Sequence, residues 1–258
     1  MGSENIKFFY ENEWDSQTLA ATTEDTSFPT ENTQSRSKTK QFRTTDLLAE
    51  TLRTDGSSDL DMAAFCLFGC NFSSAATVKV QGSDDNWVST PYDETMIQGT
   101  GRYTGQWVHF PDTIVNYDDW GVYVNDPGCA DAYLAIGRVW MPSSYWEPER
   151  GYNVGSQYRL IDPAIVNISD GEQVSVVKRT KYFMFDLGFN WISDRPGFED
   201  MFFEVGHTDQ LMILKKPDNF YIYAAPENNT YLVRMLDNNL GGIFRDKWTL
   251  SLSLKEDL

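Results

Sequence analysis

Residues 67–87 read LFGCNFSSAATVKVQGSDDNW. An apolar run ends at Gly69, small polar residues follow, and the chain re-emerges as Thr77-Val78-Lys79-Val80-Gln81. That segment alternates with a period of two. Val78 and Val80 face one side of a strand, and Thr77, Lys79 and Gln81 face the other. Residues 82–86 form a turn. Gly69 and Asn71 supply backbone freedom, so residues 69–74 read as a connection between two strands and not as the seat of a reactive Cys70.

Further strands are expected on either side. Residues 60–68 are mostly apolar and read as one buried strand. IKFFY (6–10), QWVHF (106–110), GVYV (121–124) and YLAIGRVW (133–140) add others. Short strands separated by turn residues predict a β-sandwich. The 8 Trp, 13 Tyr and 16 Phe favour the same class, because aromatics suit pleated, half-buried surfaces. Between Ser16 and Lys40 the chain is rich in Ser, Thr, Glu and Asn and reads as a long surface segment, with a basic cluster at 36–40.

After Met141 the pattern changes. Residues 142–170 read as a long loop, and loops of that length commonly serve function or a neighbour. A strand region follows at 172–189. A helix is predicted over about 195–206, with Asp194 as its cap, Pro196 in its first turn and Gly206 past its end. Phe198, Met201, Phe202 and Val205 form its apolar stripe. Strands at 210–214, 219–224 and 231–236 come next. In the last strand Trp248, Leu250, Leu252 and Leu254 share one face, and Thr249, Ser251, Ser253 and Lys255 the other. The expected organisation is a β-sandwich over 1–141, then a second β-rich domain over 142–258 carrying one α-helix.

Composition bounds the partners. Against 38 acidic residues stand 21 basic ones, giving a net charge of −17 in 258 residues. Such a surface repels phosphate backbones and anionic lipid, which argues against nucleic acid and membrane insertion. The longest apolar runs fall well short of the ~20 residues a bilayer-spanning helix needs. The first residues, MGSENIKFFYENEW, lack the basic start and apolar centre of a secretory signal, so the chain is expected to be soluble and to stay in the cell that makes it. Cys66 and Cys70 on one strand would lie about 13 Å apart. That exceeds the ~7 Å a disulfide tolerates. Together with Cys129 they read as free thiols in a reducing cytosol. Three matches to the glycosylation pattern, beginning at Asn71, Asn167 and Asn228, are then chance matches.

Reactive motifs are missing. His109 and His207 have no partner at zinc-ligand spacing. No phosphate-cradling glycine loop and no nucleophile elbow occurs. Cys66 sits in an apolar run, where a thiolate is disfavoured. The acidic pairs Asp59/Asp61, Asp84/Asp85 and Asp118/Asp119 read as solvated surface. Asp84, Asp85 and Asn86 lack the ligand spacing of an EF-hand. No catalytic, cofactor or metal residue is expected, and no enzyme. Trp87, Trp107, Trp120, Tyr145, Trp146 and Tyr152 are candidate contacts, either stacking on a sugar or anchoring a neighbouring subunit; Tyr145, Trp146 and Tyr152 favour the subunit.

Two stretches carry a resemblance. FPTENTQSRSKTKQFRTT (28–45), followed by FCLFGCNFSSAATVKVQGSDDNW, is similar to a class of tailed-bacteriophage tail-tip or baseplate proteins with a discoidin-like (galactose-binding-like) N-terminal sandwich. In that class a Phe-Pro-x-x-Asn segment, here Phe28, Pro29 and Asn32, leads to a basic stretch, here with Arg36, and an aromatic-Arg-Thr/Ser motif, here Phe42, Arg43 and Thr44. A Gly-His-Asn turn then precedes Ser-x-Ala-Thr-Val. Here these are Gly69, Cys70 and Asn71, then Ser74, Ala76, Thr77 and Val78. Phe42 stands where Trp is commoner, and Cys70 where the class has histidine. The strand 134–139 and the alternating leucines of 250–258 also resemble it. The resemblance implies a structural virion protein, assembled in the host cytoplasm, with other tail proteins as partners and a homo-oligomeric ring. The alternative is a carbohydrate-binding module or adhesin contacting a host-surface glycan.

Overall fold

The structure, a computed structural model, describes residues 5–56, 59–149, 156–168, 174–215, 229–244 and 247–257. The chain divides into two compact units. The first is built chiefly from Phe9–Tyr145, and the second from Trp146–Lys215 and Tyr231–Leu258 together with the first strand up to Phe8.

In chain order the strands are β1 (Lys7–Asn12), β2 (Leu19–Ala21), β3 (Phe42–Arg43), β4 (Glu50–Thr54), β5 (Leu60–Met62) and β6 (Phe65–Phe68). Then come β7 (Thr77–Ser83), β8 (Tyr92–Thr95), β9 (Ile97–Gln98), β10 (Trp107–His109), β11 (Val115–Tyr117) and β12 (Asp119–Asn125). β13 (Ala135–Ile136), β14 (Arg138–Trp140), β15 (Pro142–Trp146), β16 (Gln157–Ile161), β17 (Ile165–Ile168), β18 (Val174–Val177) and β19 (Tyr182–Ile192) follow. The helix α1 (Arg195–Val205), β20 (Gln210–Leu214), β21 (Thr230–Phe244) and β22 (Lys247–Glu256) complete the order.

The first unit is a β-sandwich, as the alternation predicts. One sheet runs β2-β4-β12-β7-β8 and the other β14-β6-β10-β9. Val80 of β7 pairs with Val122 of β12, which pairs with Leu52 of β4, so one apolar row crosses three strands. That row meets Phe65 and Leu67 of β6, Trp107 of β10 and Val139 of β14 in a single buried core. Burying one such side chain contributes roughly 1.5–3 kcal/mol.

Two expected strands are each split. Residues 60–68 form β5 and β6 in different sheets, because at the break Ala63 donates its N–H to Pro142 O at 2.8 Å. Residues 133–140 divide into β13 and β14 at Gly137. A Cβ there would overlap Lys38 O and lie 3.0 Å from Phe68 O, so only glycine lets these backbones meet. The segment 16–40 is also more structured than its composition suggests. It contains β2 and a 3₁₀ turn at Thr30–Gln34, whose buried Thr33 accepts a hydrogen bond from the Trp14 indole at 3.0 Å.

The second unit is organised by a sheet in the order β15-β1-β20-β21-β22-β19-β16. Phe185, Leu187 and Phe189 of β19 pair with Leu254, Leu252 and Leu250 of β22 and are buried with them. Helix α1 begins where expected: the Asp194 carboxylate accepts from Gly197 N–H at 3.0 Å, with Pro196 in the first turn. Phe198, Met201 and Val205 are buried; Phe202 is only half-buried. The expected loop 142–170 is a correction. It holds β15, β16 and β17, because polar strand residues at a sheet edge do not show the apolar alternation of a half-buried strand. The expected strand 219–224, Tyr152 and part of the 167–169 tripeptide lie outside the described residues.

Candidate functional site

Three side chains converge at the β8 edge of the sandwich: Tyr92 from β8, His109 from the end of β10 and Tyr117 from the end of β11. All three are half-buried. The Tyr92 hydroxyl lies 2.6 Å from His109 Nε2. The Tyr92 and Tyr117 rings are 5.9 Å apart, and each meets the Trp120 ring edge-on at 5.3 Å. Trp120 is fully buried and forms the floor, its indole N–H donating to Leu60 O at 2.9 Å. Gly82 makes the arrangement possible: a Cβ there would come within 2.7 Å of the Tyr117 ring.

Electrostatics keep the group neutral. Burial pushes the His109 pKa down, partly opposed by Glu94, so the ring is uncharged at pH 7. Burial, reinforced by Glu94, Tyr117 and Asp112, pushes Tyr92 up to about 12. Tyr92 donates to Nε2 when the imidazole carries its proton on Nδ1. The result is a partly open aromatic face with one hydroxyl–imidazole pair and two exposed carboxylates, Glu94 and Asp112, acting on it electrostatically. Aromatic faces receive the C–H face of a sugar ring, and such polar groups can fix its hydroxyls. Among the described residues no cluster of His, Cys, Asp or Glu could hold a metal ion.

The residues singled out from the sequence are placed as follows. Trp107 and Trp120 are core residues. Trp146 is only 2 % exposed, packed against Phe8 (5.3 Å), Phe198 (5.6 Å) and Phe189 (6.2 Å), so it cannot stack on a ligand in this conformation. Tyr145 is half-buried beside Phe9 at 5.5 Å. Trp87 is half-buried and lies over Gly121, with its indole N–H donating to Thr54 O at 3.1 Å. The loop that carries it is tied by the Asp85 carboxylate. Asp85 accepts from the Ser89 hydroxyl (2.6 Å), the Ser89 N–H (2.9 Å) and the Ser83 hydroxyl (2.9 Å), bonds that lower its pKa. Tyr92 and Tyr117 were not singled out in sequence. Tyr92 and His109 are seventeen positions apart on strands of different sheets, and only the tertiary packing brings them together.

The thiols are not poised for reaction. Burial pushes the Cys66 and Cys70 pKa values up. Burial also raises Cys129, beside Asp126 and Asp131, and its sulfur lies 3.6 Å from Tyr133 O. All three cysteines are free. The motif residues around Cys70 brace loops. Asn71 Nδ2 donates to Asp131 (2.9 Å) and Tyr133 O (3.0 Å), and its Oδ1 accepts from Ala135 N–H (2.8 Å). The Arg43 guanidinium lies 3.7 Å from the centre of the Phe28 ring and 4.4 Å from that of Tyr133. Asn32 Nδ2 donates to Gln41 O at 2.9 Å.

No family model matches the chain, and no curated protein matches it. Among solved structures it is similar to chitosan-binding module 1 of a chitosanase/glucanase from Paenibacillus sp. IK-5, at 15% identity and a TM-score of 0.40, covering 52% of this chain and 98% of the module. It is also similar to the family 32 carbohydrate-binding module of C. perfringens NanJ in complex with galactose (11% identity, TM-score 0.41, 54% of this chain and 99% of the module). A Streptococcus pneumoniae fucose-binding module matches at 11% identity and a TM-score of 0.42, covering 52% and 96%.

Proposed function

We propose that the protein is a non-catalytic carbohydrate-binding protein and that Tyr92, His109 and Tyr117 form the face that takes a pyranose. The observation that carries this reading is the 2.6 Å Tyr92–His109 pair set beside the half-buried Tyr117 ring over the buried Trp120. Neutral polar groups beside aromatic faces suit a neutral, hydroxyl-rich ligand. The test is a glycan array with the purified full chain, followed by calorimetry on any hit. Tyr117→Ala should weaken binding roughly 3- to 10-fold, since an aromatic contact is worth about 0.5–1.5 kcal/mol. Tyr92→Phe should keep the stacking and blunt discrimination among hydroxyl configurations. A silent array, or binding untouched by both changes, rejects the reading.

A second reading is a structural subunit of a tailed-bacteriophage tail tip or baseplate. It is favoured by residues that carry the sequence resemblance, Asn71, Arg43 and Asn32, which here brace loops. Mass spectrometry of purified virions should then find this chain at a fixed stoichiometry. Its absence from particles rejects that reading.

A further inference from the structure

β16 and β19 are the arms of a long hairpin in the second unit. Beyond Ile161 and Tyr182 the same two arms continue as β17 and β18, which among the described residues pair only with each other. A free two-stranded ribbon is marginal in water. Tyr158, Leu160, Ile165 and Val177 are large apolar side chains exposed along it, the least of them 41 %. Tyr158 and Leu160 pair with Phe185 and Phe183, so the core face of the sheet continues onto this edge, where the Lys215 ammonium lies 3.6 Å from the centre of the Tyr158 ring. At the base of the ribbon stand Lys178, Arg179 and Lys181, all exposed. Lys181 is 3.0 Å from Asp162; Lys178 and Arg179 have no ion-pair partner among the described residues.

Helix α1 carries the complement. Phe203 is 81 % exposed. Asp200, three residues before it, shares its face, and Glu204, one turn on from Asp200, borders that face; both carboxylates are exposed and without an ion-pair partner among the described residues. One surface is thus apolar with a cationic border, and the other apolar with an anionic border.

We propose that the β16–β19 hairpin of one copy docks on the Asp200–Phe203–Glu204 face of helix α1 in a second copy. Lys178 and Arg179 meet the two carboxylates, and Phe203 meets the exposed apolar residues of the arm. The charge balance selects this occupant: the unpaired cations Lys178 and Arg179, in a chain of net charge −17, suit the acidic surface of another copy, while the rest of the chain repels polyanions. The two patches differ, so each copy gives one contact and receives one. Such a contact closes into a ring or grows into a filament. The proposal does not depend on the sugar reading.

The test is sedimentation-velocity ultracentrifugation of the full chain across concentration and salt. Self-association that weakens with added salt is expected. The pair Lys178→Glu and Arg179→Glu should weaken it roughly tenfold or more, and so should Asp200→Lys with Glu204→Lys. Combining all four changes in one chain should restore it. Thermal melting of each variant separates lost docking from lost folding. A chain that is monomeric at every concentration overturns the proposal, as does a monomer that binds anionic vesicles through the arm. So does association that survives both reversals, or a four-fold variant that folds and stays apart.

Discussion

The Arg138 guanidinium closes on the Asp15 carboxylate across 123 residues of chain, with Nη2 2.6 Å from Oδ2. Arg138 is 1 % exposed, and Nη1 also donates to Thr33 O at 3.2 Å. A buried guanidinium that loses its partner keeps its desolvation cost. Asp15→Ala should therefore cost about 3 kcal/mol, the low end for a broken buried pair because the carboxylate side stays 38 % exposed. Replacing both, by Asp15→Leu with Arg138→Met, should cost less than the single change. Urea denaturation checks the order; a double variant less stable than Asp15→Ala would refute it.

The Tyr92–His109 pair gives a pH dependence. The folded pKa of His109 lies below its ordinary 6.5. The unfolded chain therefore binds the extra proton first, so stability falls as pH drops below about 6.5 and levels off below the folded value. The loss should follow His109: in His109→Gln, melting temperatures measured from pH 8 to pH 5 should lose this component of the slope. An unchanged slope in the variant would assign the effect elsewhere.

Gly137→Ala should destabilise the first unit by roughly 1–3 kcal/mol through backbone displacement, since the new Cβ meets two carbonyls and no flexible side chain. A chemical-denaturation midpoint equal to wild type would contradict the close approach. Gly56, with φ of 73° and open space around its Cβ position, is the control for backbone strain without a clash.

Trp146→Ala should remove roughly 3–5 kcal/mol from the second unit. Trp146→Phe should cost far less, because the indole N–H is buried without a hydrogen-bond partner among the described residues and its removal relieves that burial. Near-ultraviolet circular dichroism and denaturant titration report both. If Trp146→Ala left stability unchanged, the ring would not be packed as described.

Cys66 should resist alkylation at pH 8 in the native chain and react only on unfolding, since it is fully buried and its thiolate is strongly disfavoured. Mass spectrometry after a timed iodoacetamide pulse would show it; fast native labelling at Cys66 would mean an open strand β6.

Much of the sandwich was legible because a half-buried strand writes its own geometry. Val78 and Val80 alternate with polar neighbours and face the core. Leu250, Leu252 and Leu254 do the same in β22. The helix was legible from Asp194, Pro196 and Gly206, three residues with different backbone duties. Edge strands were not. Gln157–Ile161 exposes nearly every side chain, so burial leaves no period to read. Trp146 misled for a related reason: an indole stacking on a sugar and an indole in a core have the same letter, and its packing partners Phe8 and Phe189 are far away in sequence. Tyr92, His109 and Tyr117 come from strands of three different sheets, and the packing of those sheets, not sequence spacing, brings them together.

Strand β1 lies between β15 and β20, which are made roughly 130 and 200 residues later. At translation rates of about 5–20 residues per second, the nascent strand waits on the order of 10–40 s for its second partner. During that interval Phe8 and Phe9 leave the ribosome with unmatched backbone amides on both sides. A pause anywhere before Leu214 would prolong the exposure and leave this strand open to holding chaperones.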